Sequence, residues 1–241
     1  MTMEKILMTN GQKSFNAVGS VSSLATCVLL AAMLTLLAGC ETPGVVAVDL
    51  SAPYQPDNVF LAAPKLPADV KRVAVLPLAC DGQQTDLTAG CDALGPILAA
   101  ELTKTKRFEV IQVSPEELWR LTGRADWTGE EVLPADFLNS LKKEYGCDAV
   151  LFCQLTEFRA YPPLAVGWRL KLVDISLQKT IWAGDEHFDA GQPAVIAAAL
   201  RYQQQEQRQF GDDTTDWLAV TSPRWFGQYS VASLLDTLPA R

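Results

Sequence analysis

Five prolines, at positions 43, 53, 56, 64 and 67, fall within the thirty residues from Glu41 to Val70. Proline fixes φ and removes a backbone donor, so no regular helix or central strand can run through such a stretch. The first regular strand is therefore expected at Lys71, where the character changes. "RVAVLPL" (72–78) is a compact apolar, β-branched run that ends in "CDGQQ". It reads as a buried strand leaving into a glycine-marked loop. The proline-rich stretch before it reads as a tether, although "DNVFLAAP" (57–64) is apolar enough to lie along the domain instead.

Downstream, hydrophobic spacing sets the element order. "DALGPILAAELTKTKR" places Leu94, Ile97, Leu98 and Leu102 on one helical face. Pro96 sits in its first turn or kinks an earlier start. "RFEVIQV" (107–113) is a second strand. "SPEELWRLTG" carries a full set of helix signals: Ser114 as N-cap, Pro115 at N1, Glu117 closing a capping box and Gly123 past the end. "PADFLNSLKKEYG" (134–146) is another helix, with Phe137, Leu138, Leu141 and Tyr145 on one face. "CDAVLFCQLTEF" (147–158), "VGWRLKLVDISL" (166–177) and "QKTIWAGDEHF" (178–188) read as three strands, the last two a hairpin with one wet face. "QPAVIAAALRYQQQEQRQF" (192–210) closes the domain as a helix, packing Val195, Ile196, Ala199 and Leu200. The order β-α-β-α-α-β-β-β-α predicts one mixed-sheet α/β domain over 71–210. A C-terminal extension, 211–241, follows.

The N-terminus has a separate logic. Residues 1–16 are polar, and 17–39 are almost uncharged. The densest apolar part, Leu24 to Leu37, is short for a span of about 20 residues and suits a secretory signal. Small residues precede Cys40. "LAGC" (37–40) resembles the lipobox of bacterial lipoproteins. That resemblance implies a signal peptide over 1–39 and diacylglycerol on the Cys40 thiol. It also implies cleavage before Cys40 and acylation, as by palmitate, of the new N-terminus. Acylation at this level exceeds the two-signal threshold for stable anchoring. In enterobacterial lipoproteins an Asp after the lipidated cysteine favours the inner membrane. Glu41 stands there in this chain, which points to the outer membrane, facing the periplasm.

"RVAVLPL", "LTKTKRFEVI", "YGCDAVLFCQLTEF" and "LKLVDISLQKTIWAG" together resemble a group of envelope proteins. The group comprises the curli-assembly lipoprotein family, the lipoprotein activator of penicillin-binding proteins and the N-terminal domain of the Tol translocation protein. The resemblance covers about 120 residues and rests on element order. It implies a non-enzymatic module that binds an envelope protein partner, in assembly or regulation. An oligomeric assembly component of the curli type is the alternative, hence a homo-oligomer. The long added hairpins of the pore-forming member have no counterpart, because the core domain already needs every strand in 147–188.

The remaining chemistry is sparse. Net charge is −8, and the first 39 residues contribute +1 (Lys5, Lys13, Glu4), which leaves −9 for the rest. An acidic body disfavours nucleic acid as a partner, since phosphate binding needs a clustered basic surface. Cys80 and Cys91 could close a bridge across a short loop, and an exported compartment permits one. Cys147 and Cys153 are too far apart along a strand to join and read as small buried hydrophobes. No cysteine pair has metal-site spacing, so no cofactor or metal is expected. The single histidine, His187, lies in "GDEHFDAG". Alternation puts Asp185, His187 and Asp189 on one face, either as a catalytic or metal site or as an ordinary solvent-facing strand. The solvent-facing reading is preferred, and the chain is not expected to be an enzyme. "GDDTTD" (211–216) lacks the length and closing Glu of a calcium loop. Trp225, Phe226 and Tyr229 follow a second Ser-Pro helix start, on a helix that either packs back or meets a partner. Self-association is expected through this segment or through "AVLFCQL".

Overall fold

The computed structural model describes residues 54–210 and 218–241. Cys40 with the segments around it, and "GDDTTD" with Trp217, lie outside these residues. One mixed six-stranded sheet organises the fold, in the order β1-β6-β5-β4-β2-β3. The strands are β1 (Val59–Leu61), β2 (Arg72–Val75), β3 (Glu109–Gln112), β4 (Ala149–Arg159), β5 (Ala165–Asp174) and β6 (Lys179–Asp189). The helices are α1 (Thr85–Thr105), α2 (Pro115–Thr122), α3 (Phe137–Tyr145), α4 (Pro193–Phe210), α5 (Leu218–Thr221) and α6 (Pro223–Leu235). β2 is parallel to both β3 and β4, while β4, β5, β6 and β1 are successively antiparallel.

Local signals form these elements as expected. The α2 capping box is complete, with Ser114 accepting from Glu117 N–H and the Glu117 carboxylate accepting from Ser114 N–H. Gly123 and Gly146 end α2 and α3 in the left-handed region, where a side chain would be strained. Helix α1 begins at Thr85, so Pro96 lies inside it rather than in its first turn. There the ring removes the bond to the Asp92 carbonyl.

Strand alternation divides the interior into two layers. On one face Ala149, Leu151, Cys153 and Leu155 of β4 and Trp168, Leu170 and Leu172 of β5 pack beneath α1, α4, α5 and α6. On the other, Val150 and Phe152 of β4 meet Leu118 of α2 and Phe137 and Leu141 of α3. That second layer includes no described residue of β1 or β6, so this end of the sheet has an open face.

Two boundaries differ from expectation. The sheet domain starts by Tyr54 rather than at Lys71, because β1 adds to the edge of β6 and Leu66 and Val70 enter the core. The prolines at 56 and 64 flank β1 and leave it three residues. The C-terminal segment is no appendage either: α6 lies in the main core layer, with Phe226 fully buried and Tyr229 nearly so. The rings of Trp168 and Trp182 draw it there, donating to Ser230 Oγ at 2.8 Å and Thr237 Oγ1 at 3.0 Å. Phe226 is therefore unavailable to a partner, Tyr229 is nearly so and reaches only a pocket wall, and Trp225 is half-buried. "AVLFCQL" belongs to β4, a central strand buried on both faces, so it offers no self-association surface.

Candidate functional site

Attention falls on β6, where "DEHFD" splits between the two sheet faces. Asp185, His187 and Asp189 point to the open face. Asp185 pairs with Arg169 at 2.8 Å, and Arg169 also reaches Glu130 at 3.1 Å. These contacts hold the guanidinium more firmly protonated; the Asp185 hydrogen bond is the main cause. His187 Nδ1 lies 3.1 Å from Glu157, with both side chains near half exposure. Asp189 accepts from Arg159 at 3.0 Å and from Gly191 N–H at 2.7 Å. Each acidic or imidazole group on this face thus has its own partner in open solvent. Among the described residues no group of three or more His, Cys, Asp or Glu is placed to hold a metal ion.

Glu186 points the other way and is buried. Its carboxylate accepts from the Tyr54 hydroxyl, from Asp57 N–H at 3.1 Å and from Asn58 N–H at 3.3 Å. Asn58 adds a side-chain bond to the Asp185 carbonyl at 2.7 Å, and the Tyr54 ring meets Phe188 edge-on at 5.5 Å. Burial, with Glu186 beside it, pushes the Tyr54 phenol above its ordinary range. A buried carboxylate needs partners, and a strand edge needs covering; the segment 54–61 satisfies both needs.

The same segment walls a pocket of about 520 Å³. Tyr54 and Gln55 form one side, Arg201 and Tyr202 of α4 another, and Tyr229 and Ser233 of α6 a third. The hydroxyls of Tyr202 and Tyr229 are buried without a hydrogen-bond partner of good geometry among the described residues. Burial raises both phenols above the ordinary range. The lining is aromatic and polar; Asp236 and Thr237, just past α6, also belong to it, and burial raises the Asp236 carboxyl above its ordinary range.

Sequence reasoning singled out "DEHFD" but missed what Glu186 does. Alternation already placed Glu186 opposite Asp185 and His187, and that was the available signal. Tyr54 carried none, because its partner lies 132 positions away. Cys80 and Cys91 are joined by a disulfide, Cα to Cα 6.5 Å, tying the loop after β2 to α1. Cys147 and Cys153 are buried free thiols, and burial raises the pKa of each. Among the described residues the exposed aromatics are Phe60 on β1, Trp119 on α2 and Tyr161 at the β4–β5 turn. No described helix is long and apolar enough to cross a membrane.

No protein-family model matches the chain, and a comparison with curated proteins finds no match either. Several solved structures are similar. A PelC dodecamer from Paraburkholderia phytofirmans is 17% identical, with 76% of this chain and 98% of that one covered and a TM-score of 0.39. Lipoprotein GNA1162 from Neisseria meningitidis is 19% identical, covering 60% and 99%, with a TM-score of 0.38. A hypothetical protein from Chlamydia trachomatis is 11% identical, covering 67% and 91%, with a TM-score of 0.37. Likeness at this level carries no argument about function.

Proposed function

We propose that this chain is a bacterial lipoprotein, anchored through lipidated Cys40 to the outer membrane and facing the periplasm. Its α/β domain acts as a non-enzymatic protein-interaction module in envelope assembly or regulation. The anchor reading rests on "LAGC" and on the apolar stretch before it. The reading of the domain rests on one observation: every ionisable group of the "DEHFD" strand is engaged in a structural contact. Asp185 holds Arg169, Glu186 holds the segment 54–58, His187 meets Glu157, and Asp189 holds Arg159. General acid–base chemistry calls for a group within reach of a bound substrate, and none of these four side chains lines the pocket walled by Tyr54, Tyr202 and Tyr229. The open sheet face carrying Phe60 and His187 suits a flat protein partner better.

Two experiments test this. Cys40→Ser should abolish processing and move the protein out of the membrane fraction; unchanged processing and fractionation would refute the anchor. A photo-crosslinking residue at Phe60 in intact cells should give one discrete protein adduct, retained in a His187→Ala background. No adduct, together with loss of cellular function on His187→Ala in a folded protein, would restore the enzymatic alternative.

A further inference from the structure

The segment Tyr54–Leu61 is held to the domain in an unusual way. As an edge strand β1 is only three residues long, and two of its side chains, Phe60 and Leu61, are about half exposed. Apolar contact comes from Tyr54 and Val59, both only partly buried against the core. The buried Glu186 carboxylate adds a polar latch, and its bonds from outside its own strand all come from Tyr54, Asp57 and Asn58. The short β1–β6 pairing and backbone bonds from Asp185 N–H to Asn58, from Ala62 N–H to Ile181 and from Tyr54 N–H to Ala194 add to the attachment. Beyond Ala62 the situation changes. Leu66 is buried, donates to the Ala240 carbonyl at 2.8 Å, and follows the Lys65–Ala240 bridge. Arg241 also reaches back to the Val70 carbonyl. The chain is thus fixed firmly at Lys65–Leu66 and, before that, by the Glu186 latch, a three-residue strand pairing and the partly buried Tyr54 and Val59.

We propose that Tyr54–Leu61 is a releasable strap, latched by Glu186, whose opening exposes the edge of β6 and the pocket beside Tyr202 and Tyr229. Segments with few buried apolar contacts and a half-exposed strand open locally before the whole domain does. Release uncovers the edge of β6 and removes one wall of the pocket beside Tyr202 and Tyr229 without unfolding the core. It does not depend on the Cys40 anchor proposed above.

Hydrogen exchange on the chain from Cys40 to Arg241, without a membrane, tests the strap. The amides of Asp57, Asn58 and Ala62 should exchange at least about 100-fold faster than those of Leu170 and Leu172 in β5. Glu186→Gln keeps the shape but weakens the clasp, since an amide has one acceptor oxygen and no charge. It should speed the strap amides about ten-fold further and leave β5 unchanged. A second variant works in the opposite direction. Phe60 and Ala183 face each other across β1 and β6. Phe60→Cys with Ala183→Cys, once oxidised, should slow strap exchange toward the β5 rate, with the speed restored on reduction. Equal exchange of strap and β5 in the unaltered chain would overturn the proposal. So would a Glu186→Gln effect that falls on both alike. Because no lipid is involved, failure here is distinct from failure of the Cys40→Ser fractionation.

Discussion

Reducing the Cys80–Cys91 disulfide should lower the stability of the domain by an amount set by the loop it closes. The bridge spans 11 positions, a 12-residue loop counted inclusively. Closing a loop of that size removes about 9 to 10 cal/mol/K from the unfolded chain, hence ~3 kcal/mol at 25 °C. For a domain of this size each kcal/mol moves the melting temperature by roughly 2–4 °C, so the expected fall is about 6–12 °C. The loop is also ordered locally: Asp81 accepts from Gln83 N–H at 3.0 Å and from Gln84 N–H at 3.0 Å. Those contacts hold the fold of the loop when the bridge is cut, so the loss should appear in stability rather than in secondary structure. The assay is urea denaturation followed by circular dichroism, with and without reductant, beside a Cys80→Ser/Cys91→Ser double variant. Thiol labelling supplies the control. Buried Cys147 and Cys153, their thiols held protonated by burial, should label only on unfolding, and Cys80 and Cys91 only after reduction. An unchanged midpoint under reductant, or labelling of Cys80 and Cys91 without it, would refute the reasoning.

Two further outcomes follow from the packing. A Cβ at Gly90 would lie 2.6 Å from Phe158 Cγ and 2.8 Å from Leu155 Cδ2, whereas one at Gly95 meets nothing within 4 Å. Gly90→Ala should therefore cost about 1–3 kcal/mol by overpacking α1 against β4, and Gly95→Ala should be neutral or stabilise by up to ~1 kcal/mol. Urea midpoints of the two variants check this. Burial keeps the phenols of Tyr54, Tyr202 and Tyr229 neutral above their ordinary range. A raised folded pKa contributes stability that is fully present below the unfolded value of about 10 and lost as pH rises beyond it. The domain should thus lose stability above about pH 10, with these tyrosines ionising in the unfolding transition, as ultraviolet absorbance during alkaline titration would record.

Much of the fold was legible in the sequence because its signals are local. Ser114, Pro115, Glu117 and Gly123 specify α2 within ten residues, and their hydrogen bonds and dihedrals need no distant partner. The alternation of Trp168, Leu170 and Leu172 fixed which face of β5 is buried. β1 was not legible, because three residues between prolines have no periodicity of their own; they form a strand only when the edge of β6 supplies hydrogen bonds. The start of α1 was also hidden, since "TDLTAGC" carries a weak helical pattern and depends on packing of Leu87 and Gly90 against the sheet.

For the candidate site the division is sharper. The amino-acid sequence alone determined the element order, the acidic balance, the lipobox-like cysteine and the split of "DEHFD" between two faces, all readable from neighbours in the chain. Tertiary structure alone decided that Glu186 grips Tyr54, that Phe226 and Tyr229 belong to the core, and that Val59–Leu61 of the proline-rich stretch is a strand. Those outcomes depend on contacts between residues far apart in sequence, whose free energy exists only after the sheet has brought them together.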